Sequence, residues 1–419
     1  MAIGDKAAAA GLTTWPATQD MRLGYQNDNQ NADEIAQTRT DTAEALALKA
    51  SILQMQAGYL KSGPLDATLR GLPLFTYGHS YLAEGGLLAD PADYYSRKLA
   101  AEFALTYPTL LTSEDLKRAS GGQKAAETGH AIIGTGKPWA YRPRVVVLVQ
   151  ALLNTARVLG EDEATRAGAK HALRSLCAVV SSTERIENTD ARFVYSGSWN
   201  HTGTLSMFSN GNYSTTETAA GYVTITMPED DCWLLTTARS EGLDPSVLKF
   251  SNAVNGQPIG TYTNNDQSEA AVTNGYANAA IKIKAPKGTS VKIIQDSGTG
   301  RLLIDALLVP APTPPPIVLM KEPYLNDYTL STSYPNGSDA ALSYYNGILD
   351  ELAVEFPNVI VCNPNTAGYW DKTKHLLPDG VHANVAGNDA LFKTARDGIR
   401  AGLLQRGLIS GLQAAYGLS

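Results

Sequence analysis

Cysteine is scarce in this chain, and the three present (Cys177, Cys232 and Cys362) are odd in number and widely spaced. That excludes a disulfide framework and a Cys/His metal cluster. Cys177 and Cys362 sit in apolar runs and read as buried free thiols. No apolar run reaches the length of a membrane span. There is no basic run, and a net charge of −7 argues against nucleic acid as a partner. The first residues, Met-Ala-Ile-Gly-Asp-Lys, lack the charged-then-apolar pattern of a signal peptide, so export by the ordinary route is not expected. What is present is apolar sequence sufficient for a sizeable core. The 419 residues are enough for two or three domains.

Two stretches stand out. In Leu72-Pro-Leu-Phe-Thr-Tyr-Gly-His-Ser-Tyr-Leu82, residues 74–77 read as a short buried strand, and Gly78-His79-Ser80 turns sharply. A helix is expected after it, over Asp90–Leu105. A serine at such a turn presents its hydroxyl at the rim of a sheet and leaves its own N–H free to donate, as a nucleophile for acyl transfer requires. Alone, Gly-His-Ser also fits an ordinary loop. Far away, Asp379 and His382 stand three residues apart, just before a helical run over Asn384–Leu404. The carboxylate can then hold one imidazole nitrogen while the other faces a nucleophile. The alternative there is an N-capping Asp with a surface His.

Together these stretches resemble the SGNH (GDSL-type) hydrolase family over about 72–185 and 315–410. The first block, Gly-Asp-Ser, is Gly78-His79-Ser80 here. The last, Asp-x-x-His, is intact as Asp379-Gly-Val-His382. The second block's glycine matches Gly121, with Gly122 beside it. The third block's asparagine matches Asn154, while Leu152 and Thr155 replace its glycine and aspartate. The resemblance implies an α/β fold, a three-layer parallel sheet, and a carboxylic-ester hydrolase. Ser80 would be the nucleophile, His382 the base and Asp379 its orienter. Ser80, Gly121 and Asn154 would form the oxyanion hole, with no metal or cofactor. His79 either lines the site or points away from it.

Between the two halves the pattern changes at about Ser182. Strand segments separated by turns run from Arg192 to Val309, with Asn-Gly pairs at 210–211, 255–256 and 274–275. This predicts an inserted β-sandwich. Tyr195-Ser-Gly-Ser-Trp199 and Leu303-Ile-Asp-Ala-Leu-Leu resemble jelly rolls of the carbohydrate-binding-module kind. Trp199, Tyr213, Tyr222, Trp233, Tyr262 and Tyr276 are candidate sugar-stacking rings, with a core role as the alternative. The expected domains are 1–60 (extension and helix), 61–185 and 312–419 (the two hydrolase parts) and 186–311 (sandwich). Asn31–Tyr59 reads as a helix, either an oligomerisation stalk or a helix packed on the domain. The opening segment, with Gly11-Leu-Thr-Thr-Trp15, resembles tail proteins of actinobacterial phages. The combined expectation is an enzyme removing O-acetyl or similar groups from a bacterial surface polysaccharide. It would sit in a virion tail with other tail proteins as a homo-oligomer, a trimer being one form, with no nucleic-acid or membrane partner. The alternative is a tail protein that binds glycan with little turnover.

Overall fold

The computed structural model describes residues 69–84, 87–106, 117–135, 145–204, 208, 211–216, 221–239, 247–263, 276–297, 302–328 and 334–416. The chain divides into two compact units, one of Asp66–Arg406 and one of Met1–Leu65 with Gly407–Ser419. The expected helix over Asn31–Tyr59, the stalk and the phage-like opening lie outside the described residues.

In chain order the first unit begins with β1 (Leu74–Gly78), α1 (Ser80–Ala83), a 3-10 turn at Pro91–Asp93, α2 (Tyr95–Glu102), β2 (Lys117–Ala119), α3 (Ala125–Thr135), β3 (Val146–Gln150), α4 (Leu153–Leu159) and α5 (Glu163–Val180). Twelve strands follow. They are β4 (Ser182–Glu187), β5 (Val194–Ser196), β6 (Asn200–Thr204), β7 (Asn212–Thr216), β8 (Tyr222–Thr226), β9 (Trp233–Arg239), β10 (Val247–Asn252), β11 (Pro258–Thr263), β12 (Tyr276–Lys282), β13 (Ser290–Ser297), β14 (Leu302–Ile304) and β15 (Ala306–Pro310). The chain then forms β16 (Ile317–Met320), α6 (Asp339–Glu355), β17 (Val359–Cys362) and α7 (Val385–Tyr416).

Five of these strands make a parallel sheet in the order β17-β16-β3-β1-β2. Every residue of β1, β3 and β16 is buried, as expected for strands covered on both faces. Sequence runs such as Val-Val-Leu-Val therefore show no alternation. The other twelve strands form antiparallel sheets of five (β11-β10-β13-β8-β5), four (β12-β9-β15-β4) and three (β14-β7-β6).

The antiparallel share corrects the expected fold class. By strand content the described residues are chiefly antiparallel β, not an SGNH-like three-layer α/β fold carrying a subordinate insert. The physical reason lies in the four-stranded sheet, whose central strands β9 and β15 are buried on both faces. Along β15, Ala306 and Leu308 pack into the core of the parallel sheet, while Leu307 and Val309 pack into the core of the sandwich. Along β9, Trp233 and Leu235 face the first core and Leu234 the second. Period-two alternation thus serves two apolar cores instead of one core and water. Trp233, a candidate sugar-binding ring, is consumed this way: it is 6% exposed and stacks on Phe356 at 5.0 Å. Trp199, Tyr213, Tyr222 and Tyr262 are half-buried.

Entry to and exit from the sandwich meet. The Ala311 N–H donates to the Ser181 carbonyl (2.9 Å), and β4 pairs with β15. β4 already starts at Ser182, ahead of the expected junction at 185–186. The three cysteines are buried and free, and burial pushes the Cys362 thiol up to about 12.

The close approach at the end of β1 is specific to glycine. Gly78 has φ +143°, and a Cβ there would lie 1.7 Å from the Gln150 carbonyl oxygen of β3. Gly78→Ala is expected to destabilise the fold by about 3 kcal/mol or more, because strand separation and a disfavoured φ both oppose it. Denaturant unfolding of the purified variant measures this.

Candidate active site

Ser80 sits where β1 ends. Gly78 turns the chain, the His79 N–H donates to the Gln150 carbonyl (3.1 Å), and His79 caps the short helix α1 that begins at Ser80. The helix expected over Asp90–Leu105 is therefore not the one that carries the serine. α1 stops at Glu84, which has φ +51°, and the later segment is a 3-10 turn followed by α2.

Asp379-Gly-Val-His382 lies in the loop before α7. Asp379 Oδ1 accepts the N–H groups of Val381 and His382 (2.9 Å each), closing a tight turn through Gly380 (φ +67°). Its other oxygen, Oδ2, is 2.6 Å from His382 Nδ1. On the far side of the ring, His382 Nε2 is 2.9 Å from Ser80 Oγ. The Asp379 contact makes Nδ1 the protonated nitrogen, which leaves Nε2 to accept from the serine. Burial pushes the Asp379 carboxyl upward. The His382 side chain and the two backbone N–H groups outweigh that and hold it below its usual value.

The expected oxyanion donors divide. Among the described residues neither the Ser80 N–H nor the Gly121 N–H has an acceptor. Gly121 follows β2, whose Ala119 pairs with Gly78, and the Ser120 N–H donates to the Gly78 carbonyl (2.9 Å). That register puts the Gly121 loop beside the Ser80 turn. Asn154 is buried at the start of α4 and spends one amide hydrogen on the Gln123 carbonyl (3.0 Å). Only its second hydrogen remains for a ligand. The residues that depart from the family pattern have structural partners. The Leu152 N–H donates to Glu322 Oε1 (2.7 Å), and Thr155 Oγ1 accepts the Ala125 N–H (3.1 Å).

His79 points away from the serine into the sheet. It is fully buried, with Nε2 2.9 Å from Glu322 Oε2 and Nδ1 accepting the Tyr81 N–H (3.4 Å). Glu322 was not singled out from the sequence. Its only signal there is an acidic residue two positions beyond the apolar strand Ile317–Met320. It also accepts from the Gln150 side-chain amide (3.2 Å). Tyr81 was missed as well. Its hydroxyl donates to the Val381 carbonyl (2.5 Å), joining the serine helix to the histidine loop, and burial raises its pKa.

No family model and no curated protein matches the chain. Solved structures give partial likenesses. An exo-beta-1,3-galactanase from Phanerochaete chrysosporium is 20% identical, over 31% of this chain and 29% of its own, at a TM-score of 0.23. The catalytic domain of a GH87 alpha-1,3-glucanase is 15% identical, over 34% and 36%, at 0.24. A family 6 carbohydrate-binding module is 16% identical, over 30% and 94%, at 0.23. The chain thus spans about a third of the galactanase and glucanase chains it is similar to. These findings correct two expectations. The likenesses are to glycoside hydrolases and a carbohydrate-binding module where SGNH hydrolases were expected, and the assignment to that family is withdrawn. The class assigned through that family, a GDSL-type carboxylic-ester hydrolase, is corrected with it, since the likenesses are to glycoside hydrolases.

Two predictions follow from the buried contacts. Glu322→Ala leaves His79 without its partner in the sheet and should cost about 3–5 kcal/mol in denaturant unfolding. Tyr81→Phe removes one hydrogen bond and should cost about 1 kcal/mol. A third concerns acid. Since the Asp379 carboxyl is held below its unfolded value, its contribution to stability is complete above about pH 4 and fades as pH falls through the folded pKa. Asp379→Asn should flatten that part of the stability–pH curve, measured by thermal unfolding between pH 2 and 5.

Proposed function

We propose that this chain acts on a polysaccharide and that Ser80 takes an acyl group from it, an O-acetyl or similar substituent. One observation carries the reading: His382 Nε2 lies 2.9 Å from Ser80 Oγ while Asp379 holds Nδ1 from behind at 2.6 Å. In that row Ser80 Oγ attacks the acyl carbonyl as its proton passes to Nε2. The imidazolium that forms is stabilised by Asp379. The N–H groups of Ser80 and Gly121 would take the oxyanion, with the remaining Asn154 amide hydrogen as a third donor. His382 then returns the proton to the departing sugar oxygen, and the acyl group stays on Ser80 until water or another acceptor removes it.

The carbohydrate target is supported by the structural neighbours, a galactanase, a glucanase and a carbohydrate-binding module, and by the sandwich. Cleavage of the glycosidic bond itself is in most such enzymes carried by two carboxyl groups flanking that bond. The two carboxylates that belong to this site do not offer that: Asp379 is bonded to His382, and Glu322 is sealed among His79, Gln150 and Leu152. The proposed setting is a phage tail at the host surface, with a homo-oligomer and other tail proteins as partners. Its support is the resemblance of the opening segment, and mass spectrometry of purified virions tests it.

Acetate release from an O-acetylated polysaccharide, compared between the wild-type chain and Ser80→Ala, tests the chemistry. The rate is expected to fall at least about 10³-fold in the variant, with glycan binding retained. Binding without acetate release in either protein would leave only a glycan-adhesive role.

A further inference from the structure

Arg157 is the buried cation that the proposed chemistry leaves unexplained. It lies in α4 three residues after Asn154, so the two share a helix face. It is 4% exposed, yet its Nε has no hydrogen-bond partner, and among the described residues no carboxylate pairs with its guanidinium. What it has instead is an aromatic ring: the guanidinium carbon is 4.1 Å from the centroid of Tyr334. Tyr334 is half-buried, and its hydroxyl lies 3.7 Å from where a Cβ on Gly122 would sit. The Arg157–Tyr334 pair therefore borders the loop that carries Gly121, beside the Ser80 turn. Arg157 also interacts electrostatically with Tyr81 and Asp379, and with Tyr328 and Tyr334. On the other side, Gly337 leaves room for its stem: a Cβ there would lie 3.3 Å from Arg157 Cγ and 2.7 Å from the Tyr328 ring.

An arginine cannot shed its charge, and a buried charge with no carboxylate in direct contact is costly. Stacking on Tyr334 offsets only part of that cost. The fork of N–H donors matches a carboxylate in two-point contact. We propose that Arg157 receives a carboxylate of the substrate, so that the polysaccharide addressed at Ser80 is acidic, with its acyl group on or next to a carboxylate-bearing sugar. This rests on the reading of Ser80 as the acyl-accepting group and adds to it the class of glycan.

The test uses an O-acetylated hexuronate oligosaccharide and its carboxyl-reduced, neutral counterpart. Binding of each is measured by titration calorimetry to the wild-type chain, Arg157→Gln and Arg157→Lys, with acetate release followed in parallel. Wild type is expected to bind the acidic form at least about tenfold more tightly. Arg157→Gln should lose that preference, and Arg157→Lys, which keeps the charge but not the fork, should fall between. The acidic oligosaccharide should raise the thermal unfolding temperature of wild type and not of Arg157→Gln. Equal binding of the two oligosaccharides by wild type overturns the proposal whatever the variants do, as does a full preference retained in Arg157→Gln. Acidic preference without acetate release keeps the carboxylate subsite and removes acyl transfer. Acetate release with no preference in binding does the reverse.

Discussion

A single buried carboxylate holds the carboxyl edge of the parallel sheet together. Glu322 follows β16 and accepts from the His79 ring, the Gln150 amide and the Leu152 N–H, so it touches the ends of β1 and β3 at once. Its own backbone is clamped by Asn346 through both the N–H (2.7 Å) and the carbonyl (3.0 Å), and Asn365 adds a second donor to that carbonyl (2.9 Å). Hydrogen bonds to a carboxylate inside a low-dielectric core are stronger than their counterparts in water, and each is expensive to lose. The turn that carries Ser80 is therefore fixed from the interior side. The histidine loop is fixed from the other side, by the Tyr81 hydroxyl on the Val381 carbonyl and by the turn that Asp379 closes.

Those two anchorages explain why a nucleophile and a base 302 positions apart can stay within hydrogen-bond distance. α7 contributes as well. Its start is held by Asn384, which accepts the Gly387 N–H (2.9 Å) and donates to the carbonyls of Lys374 and Leu376. A Cβ at Gly387 would meet the His375 carbonyl at 2.1 Å, so the helix begins hard against the loop before it. The sandwich reinforces the same frame from a distance, since its four-stranded sheet packs on α5 and α3. Ordering the centre is thus a property of the whole Asp66–Arg406 unit.

Much of the local geometry was legible. Asp379 and His382 are three residues apart, and a bond between them needs only the turn that Gly380 permits. The strand before Ser80 was marked by Leu74-Phe-Thr-Tyr closed by Gly78. Other elements were misread for identifiable reasons. The helix at Ser80 is four residues long, too short for any periodic pattern to reveal. The alternation in β9 and β15 looks like that of any half-buried strand, because sequence does not say whether the second face meets water or another core. His79 read equally well as a lining residue or a buried one, since its partner Glu322 lies 243 positions away.

The sequence by itself determined that a strand ends at Gly78, that a strand-rich segment separates two α/β parts, and that the Asp379–His382 pair can form. These depend on interactions between near neighbours, whose distance is set by covalent geometry. The tertiary structure decided which residues share a site: Ser80 with His382, Glu322 with His79, and Arg157 with Tyr334 at the edge of the Gly121 loop. It also decided that Trp233 is core and that two antiparallel faces serve two interiors. Those outcomes follow from how layers stack and which buried charges meet, and no short-range pattern encodes either.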